Sequence, residues 1–441
     1  MRNIFKFTLL GLALAASMAF AQQGKDPAAG MKELDELQRK MLQDARDSNK
    51  NVNFAELQAA LQKKAAELVT GVEVDKVEPT DAFAWAKLFS RAGKSKETCD
   101  LIHKYLTTNP EALDRYQAQM LMMTACNALG EADMLQMTLR DIKLPSGAYS
   151  MSLASVTVNQ YIDTIDKKLG REAALKTLGE VEAGMVFESP EEYGKRMLAL
   201  EKSRPTRAGA EPKPDDVRLK ELAEQAQNNT VATQYLFVKK RADWYEDAGD
   251  QKKAVETLQA FVDKAPEKAP ARRQAKGLVT QYTLPGTAAP ALQSERSIGE
   301  FPGLAAMKGK VVLLDFFAHW CGPCIASFPE MKDLYKDLHA KGVEIVGVTK
   351  YYGYYQQEST ANRDMPKDTE FGKMGEFIKK YELPWSVVYG DLSNFDAYGC
   401  TAIPHVVVID KAGVVRKIKI GYDQKGFPDF KKFVESLLEE K

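Results

Sequence analysis

The chain has 441 residues, too many for one ordinary core, and its 61 Lys plus Arg are balanced by 61 Asp plus Glu to zero net charge. That balance excludes the basic excess of a nucleic-acid-binding protein, and no long block of like charge reads as a tail. Two or three domains are expected.

Arg2 and Lys6 open the chain, Phe7 to Ala16 is nearly all apolar, and Ala19-Phe20-Ala21 forms a small-x-small cleavage site before Gln22. The apolar run is short for a membrane span. Residues 1–21 are therefore expected to be a cleaved signal peptide. No cysteine lies near the site, so no lipid attachment is expected there. The mature protein should be exported, in the periplasm or another extracytoplasmic space, and soluble.

From residue 22 to about 281 strand signals are almost absent, and apolar residues recur at helical spacing, as in Phe54, Leu57, Leu61, Ala65 and Leu68 after the cap candidate Asn53. A weak internal repeat runs through this half. Before Gly93 stand Trp85, Leu88 and Phe89; after it come Ile102, Tyr105, Leu106 and then Pro110. Around Gly249 the same offsets return, with Tyr245 before it and Ala254, Leu258, Phe261 and Pro266 after it. Gly130 gives a looser copy and Gly170 a poorly kept one. A small residue permits a tight turn, apolar positions fill the seam of two antiparallel helices, and proline stops the second.

These units resemble tetratricopeptide repeats, with irregular spacing between copies. The resemblance implies a curved helical stack that binds a protein partner; an all-helical spacer without one is the other reading. Methionines 120, 122, 123, 134 and 137 either fill helix seams or form an adaptable client surface, and the seam is preferred. Arg204 to Lys213 has loop composition and marks a sub-boundary or insertion.

At Tyr282 the texture changes. Strands are expected at 311–317, 343–349, 386–389, 405–410 and 414–420, and helices at 322–340, 369–382, near 394–398 and at 428–439. A hairpin turn is expected at Asp410 to Gly413. Strands alternating with helices before an antiparallel pair imply an α/β domain with a mixed sheet.

Within it Val311 to Pro329 reads strand, Trp320, Cys321-Gly322-Pro323-Cys324, then an amphipathic segment broken by Pro329. Two cysteines on the first turn of a helix can close a small disulfide ring. The first sits where unpaired N–H groups and the helix dipole stabilise a thiolate. This is a candidate redox dithiol. Of the remaining cysteines, Cys99 and Cys126 either bridge or pack as small apolar residues. Cys400 is expected as buried filler, with a third redox thiol as the alternative.

VVLLDFFAHWCGPC, Pro329 and YGCTAIPH at 398–405 resemble the thioredoxin superfamily. GTAAPAL at 286–292 and KGKVVLLDFFA at 308–318 narrow the likeness to its exported TlpA/ResA-type, or redoxin, branch. The expected architecture is thus a signal peptide (1–21), an all-α TPR-like domain (22–281) and an α/β thioredoxin-like domain (282–441).

The resemblance implies an exposed Cys321 that attacks a client disulfide and a shielded Cys324 that resolves it. It implies a cis Pro404 opposite the pair, which leaves the Ile403 backbone to bind client, and makes Asp315 the proton acceptor for Cys324. A strand-end acid bonded to backbone is the alternative for Asp315. Trp320, Gly322 and Pro323 would line the client site, and no cofactor beyond the dithiol is implied.

Two positions depart from the branch: Ser327 replaces its usual glutamate, and His405 its usual threonine. His405 either tunes the thiolate or is a core-edge residue; His319 is expected to be merely exposed. The tyrosines at 351, 352, 354 and 355 either rim the client site or fold over their own loop.

The expected function is disulfide reduction on protein clients, fed by a membrane electron donor. The Gly-Pro pair resembles thioredoxin, at roughly −270 mV. A redoxin-group thiol peroxidase with an antioxidant role, and a binding protein that only docks through this domain, are the alternatives. A metal site at Cys321, Cys324 and His405 lacks a fourth ligand.

Overall fold

The computed structural model describes residues 26–48, 52–142, 150–203, 213–356 and 364–440. The expected signal peptide, and all of the 204–213 loop but Lys213, lie outside the described residues. The chain forms two compact units, Met1–Phe237 and Val238–Lys441.

The first unit holds α1 (Pro27–Asp47), α2 (Phe54–Val69), α3 (Ala82–Arg91), α4 (Ser95–Leu106), α5 (Ala112–Leu129), α6 (Ala132–Asp141), α7 (Ser150–Val156), α8 (Ile162–Leu169), α9 (Arg171–Ala183), α10 (Pro190–Lys202) and most of α11 (Asp215–Asp247). Asn53 caps α2 as expected, its Oδ1 accepting from the Ala55 and Glu56 N–H groups. The repeat glycines are real helix stops. Gly93, Gly130 and Gly249 all take φ near +70°, at +73°, +70° and +76°.

In each, the N–H after the glycine returns to the carbonyl five residues back: Lys94 to Phe89, Glu131 to Cys126 and Asp250 to Tyr245. Gly170 differs, with φ +90° and ψ 164°, and passes straight into α9. Met122 and Met123 are buried in the seam, whereas Met137 is exposed.

The second unit begins inside α11 and continues with α12 (Gln251–Lys264) and α13 (Pro270–Thr283). The compact division therefore falls at 237/238 rather than at 281, with α13 packed on α16 (Leu392–Ala397) and bonded to the 396–401 segment. That sheet has β1 (Arg296–Ile298), β2 (Val311–Phe316), β3 (Val343–Lys350), β4 (Ser386–Gly390), β5 (His405–Ile409) and β6 (Val415–Ile420). Its order is β1-β4-β3-β2-β5-β6. Strands β2, β3 and β4 run parallel, and β1, β5 and β6 antiparallel to their neighbours.

The helices of this half are α14 (Gly322–Leu338), α15 (Lys367–Tyr381), α16 (Leu392–Ala397) and α17 (Phe427–Glu439). Pro329 lies inside α14 and does not end it. Alternation along β2 separates two cores. Val311 and Leu313 join the cluster of α14, α15 and α17, while Val312, Leu314 and Phe316 join Phe395, Tyr398 and Cys400 on the other face.

Candidate active site

Because β2 and β3 are parallel and β5 is antiparallel to β2, three segments meet at one edge of the sheet. They are 317–321 after β2, 351–356 after β3 and 398–404 before β5. The first carries the dithiol. Cys321 and Cys324 are joined as a disulfide with Cα atoms 5.3 Å apart. Cys321 is the N-cap of α14, and its Sγ accepts the Cys324 N–H at 3.2 Å. On reduction the same N–H and the helix dipole face a thiolate there.

Cys324 is fully buried and Cys321 only 4% exposed, so the expectation of an open first cysteine is corrected: in the disulfide it belongs to the same buried cluster as Ala318, Cys324 and Phe328. The exposed surface beside it belongs to Trp320, 44% accessible, together with Gly322 and Pro323 on the first turn of α14. Ser327 Oγ, in the place of the usual glutamate, donates to the Cys324 carbonyl at 2.7 Å.

Asp315 follows Leu313 on the cysteine-bearing face of β2 and is 1% exposed. Neither carboxylate oxygen has a protein hydrogen-bond partner, which sets aside the strand-end alternative. Burial pushes its carboxyl up to about 7. An acid that holds its proton until neutral pH is suited to exchange one with a buried thiol.

Ile403–Pro404 is a cis peptide, as the resemblance implied. Ile403 is half-buried against the cluster that contains both cysteines. His405 is the clear correction. It pairs with Phe316, so its side chain lies on the opposite face of the sheet from Leu313 and Asp315. There it is fully buried against Phe316, with Nε2 at 3.1 Å from the Tyr398 carbonyl, and burial lowers its pKa to about 4. A neutral imidazole sealed on that face cannot hold a thiolate, a client or a metal with the dithiol.

His319 is the reverse case. It is 1% exposed rather than open to solvent. Its Nδ1 accepts the Gln356 N–H at 2.9 Å, and its Nε2 lies 3.7 Å from Glu370 Oε1. Glu370, also fully buried, accepts the N–H groups of Tyr352 and Gly353 at 2.8 and 2.9 Å. The two residues fold the tyrosine segment back: Tyr354 and Tyr355 are buried and pack on the His319 ring. Tyr352 meets both His319 and Trp320 edge to face. The loop covers itself and still supplies one wall beside Trp320.

Glu370 was not singled out from the sequence. It stands in the first turn of an ordinary amphipathic helix, and only the fold brings it to a loop 17 residues away.

Residues 284–437 match the family described as Redoxin. Over 137 residues the chain is 31% identical to the thiol-disulfide oxidoreductase ResA of Bacillus subtilis (strain 168), 31% of this chain and 67% of that protein. The chain belongs to the Redoxin family.

Other relatives agree with that membership. The redoxin segment is 30% identical over 124 residues to the ResA of Halalkalibacterium halodurans, covering 28% of this chain and 61% of that protein. It is 46% identical over 119 residues to the ResA of Oceanobacillus iheyensis, covering 27% and 53%. The chain thus spans between half and two thirds of these relatives' own length. A crystal structure of a thiol:disulfide interchange protein of the thioredoxin family from Chlorobium tepidum TLS covers 35% of this chain and 97% of its own, at 26% identity and a TM-score of 0.28.

Proposed function

We propose that the chain is an exported thiol–disulfide oxidoreductase that reduces disulfides of protein clients through Cys321 and Cys324. The observation that carries this reading is the disulfide at the first turn of α14, with the uncompensated Asp315 on the same face of the sheet. Export rests on the pattern of residues 2–21. Among the described residues no helix is long and apolar enough to cross a membrane.

The cycle starts from the disulfide. A donor dithiol, supplied at the membrane, gives two electrons and becomes a disulfide; one of its protons ends on Cys324 and the other passes to solvent. Cys321 is then a thiolate at the helix N-terminus and Cys324 a thiol. The Cys321 thiolate attacks one sulfur of a client disulfide, which forms a mixed disulfide and releases the client's other sulfur as thiolate. Ionised Asp315 takes the Cys324 proton as that sulfur attacks Cys321, expelling the second client thiolate and restoring the Cys321–Cys324 bond. Trp320, Gly322, Pro323 and the Ile403 backbone border the client, and Pro404 shapes that edge. The hairpins turning at Gly93, Gly130 and Gly249 suit a TPR-like scaffold for a protein partner.

Trapping tests the assignment. A Cys324→Ser variant, reduced and mixed with exported proteins, should hold clients on Cys321 as mixed disulfides that dithiothreitol releases. Recovery of none, with the Cys321 thiol shown to be free, would sink the client reading. Equilibration with glutathione gives the direction: a strongly oxidising potential would reverse the proposed electron flow.

A further inference from the structure

Helix α13 precedes the redoxin match, yet it is fastened to the turn that leads into Pro404. Gln281 Nε2 donates to the Gly399 carbonyl at 2.6 Å and to Thr401 Oγ1 at 3.2 Å. One helical turn earlier, Gly277 lets the two backbones meet. A Cβ there would stand 2.3 Å from Thr401 Cγ2, and a Cβ on Gly399 would stand 2.6 Å from the Gly277 carbonyl oxygen. One turn earlier again, Arg273 Nε pairs with Asp396 at 2.6 Å.

Positions 273, 277 and 281 follow one another at i, i+4 spacing, so they form a single row on one face of α13. Beside this row the elements part around a cavity of about 600 Å³ between α13 and the 395–401 turn. The turn is therefore held on this side by the row and not by a continuous packed layer. Ile403, two residues beyond Thr401, packs against the cluster that contains Cys321 and Cys324. A shift of the turn is carried by the chain into the edge beside the dithiol.

We propose that α13 is a positioning element of the redox site. The row Arg273, Gly277 and Gln281 sets where residues 399–404 stand, and so governs how a protein disulfide seats on Cys321. A small disulfide needs only the Cys321 sulfur, whereas a polypeptide must also lie along the edge that the row holds in place. The proposal rests on the oxidoreductase reading and adds to it a preference for protein over small disulfides. It also makes residues outside the family match part of the working site.

Full-length Gly277→Ala and Gln281→Ala variants test it. The added methyl of Gly277→Ala meets Thr401 Cγ2, and Thr401→Ser in the same chain removes that carbon while keeping the hydroxyl that Gln281 binds. For insulin with dithiothreitol as donor, KM should rise about fivefold in each single variant, with kcat less affected. With 5,5′-dithiobis(2-nitrobenzoate), kcat/KM should fall by no more than about twofold. The Gly277→Ala, Thr401→Ser double variant should return toward the parent. Amide exchange across 398–409 should speed up in the single variants and recover in the double.

Unchanged KM and unchanged exchange in both single variants would overturn the proposal, as would an equal loss toward both substrates. If the parent protein reduces neither substrate, the oxidoreductase reading fails by itself, and the exchange measurements still decide whether α13 holds the turn.

Discussion

At Asp315 the fold keeps a carboxyl that it does not solvate. Both oxygens lack a partner, and the group holds its proton to about pH 7 against 3.8 for an ordinary aspartate. The folded chain therefore binds a proton that the unfolded chain has released between those two values. The stability this contributes is fully present below the unfolded pKa and is lost as pH rises through about 7. Asp315→Asn should remove that slope. Its gain in unfolding free energy should be small near pH 4 and on the order of a few kcal/mol at pH 8, by urea denaturation. A gain equal at both pH values would show that the carboxyl is solvated. The same variant should slow the resolving step by Cys324. Asp315 was legible in the sequence through the resemblance, which implies a buried acid six residues before the first cysteine. His405 was not: one residue of register moves a side chain across the sheet, and no short-range signal states which register holds.

The aromatic segment 351–356 shows what an element needs when it lacks regular hydrogen bonding of its own. Its N–H groups at Tyr352 and Gly353 are satisfied by one carboxylate from the first turn of α15. Glu370→Ala leaves those donors buried and unpaired. It should cost about 2–4 kcal/mol and release the segment, seen as faster amide exchange across 351–356. Glu370→Gln keeps one acceptor and should lose about half as much. Exchange unchanged in Glu370→Ala would mean that ring packing alone holds the loop. At this scale the helices and strands of the redox half were readable within a few residues, because their apolar periods differ so clearly. The helix stops were readable too, since a left-handed turn calls for glycine. The continuation of α14 past Pro329 agrees with the helix expected over 322–340, since flanking core contacts outweigh a lost hydrogen bond.

Across the whole molecule, the division into units could not be taken from composition. The hairpin of α12 and α13 follows a Gly249 turn like those at Gly93 and Gly130, yet it groups with the redoxin half through close backbone approach at Gly277 and Gly399. Pairs of glycines 122 positions apart carry no local signature. The cysteines give a test at this scale. Cys99 and Cys126 lie with sulfurs 3.5 Å apart and unbonded, and burial pushes the Cys400 thiol up to about 12. Alkylation of the denatured, unreduced protein should therefore add three groups, at Cys99, Cys126 and Cys400, by mass. Addition of a single group would show that the first two have bridged.

Of the four tryptophans, Trp85, Trp244 and Trp385 are buried, and Trp320 alone is exposed, one residue before the disulfide. A disulfide quenches a neighbouring indole, and a solvent-facing indole emits at longer wavelength than buried ones. The long-wavelength emission of this protein therefore comes from the residue beside its working bond. The chain carries its own optical gauge of whether Cys321 and Cys324 are joined, readable without a dye or a label.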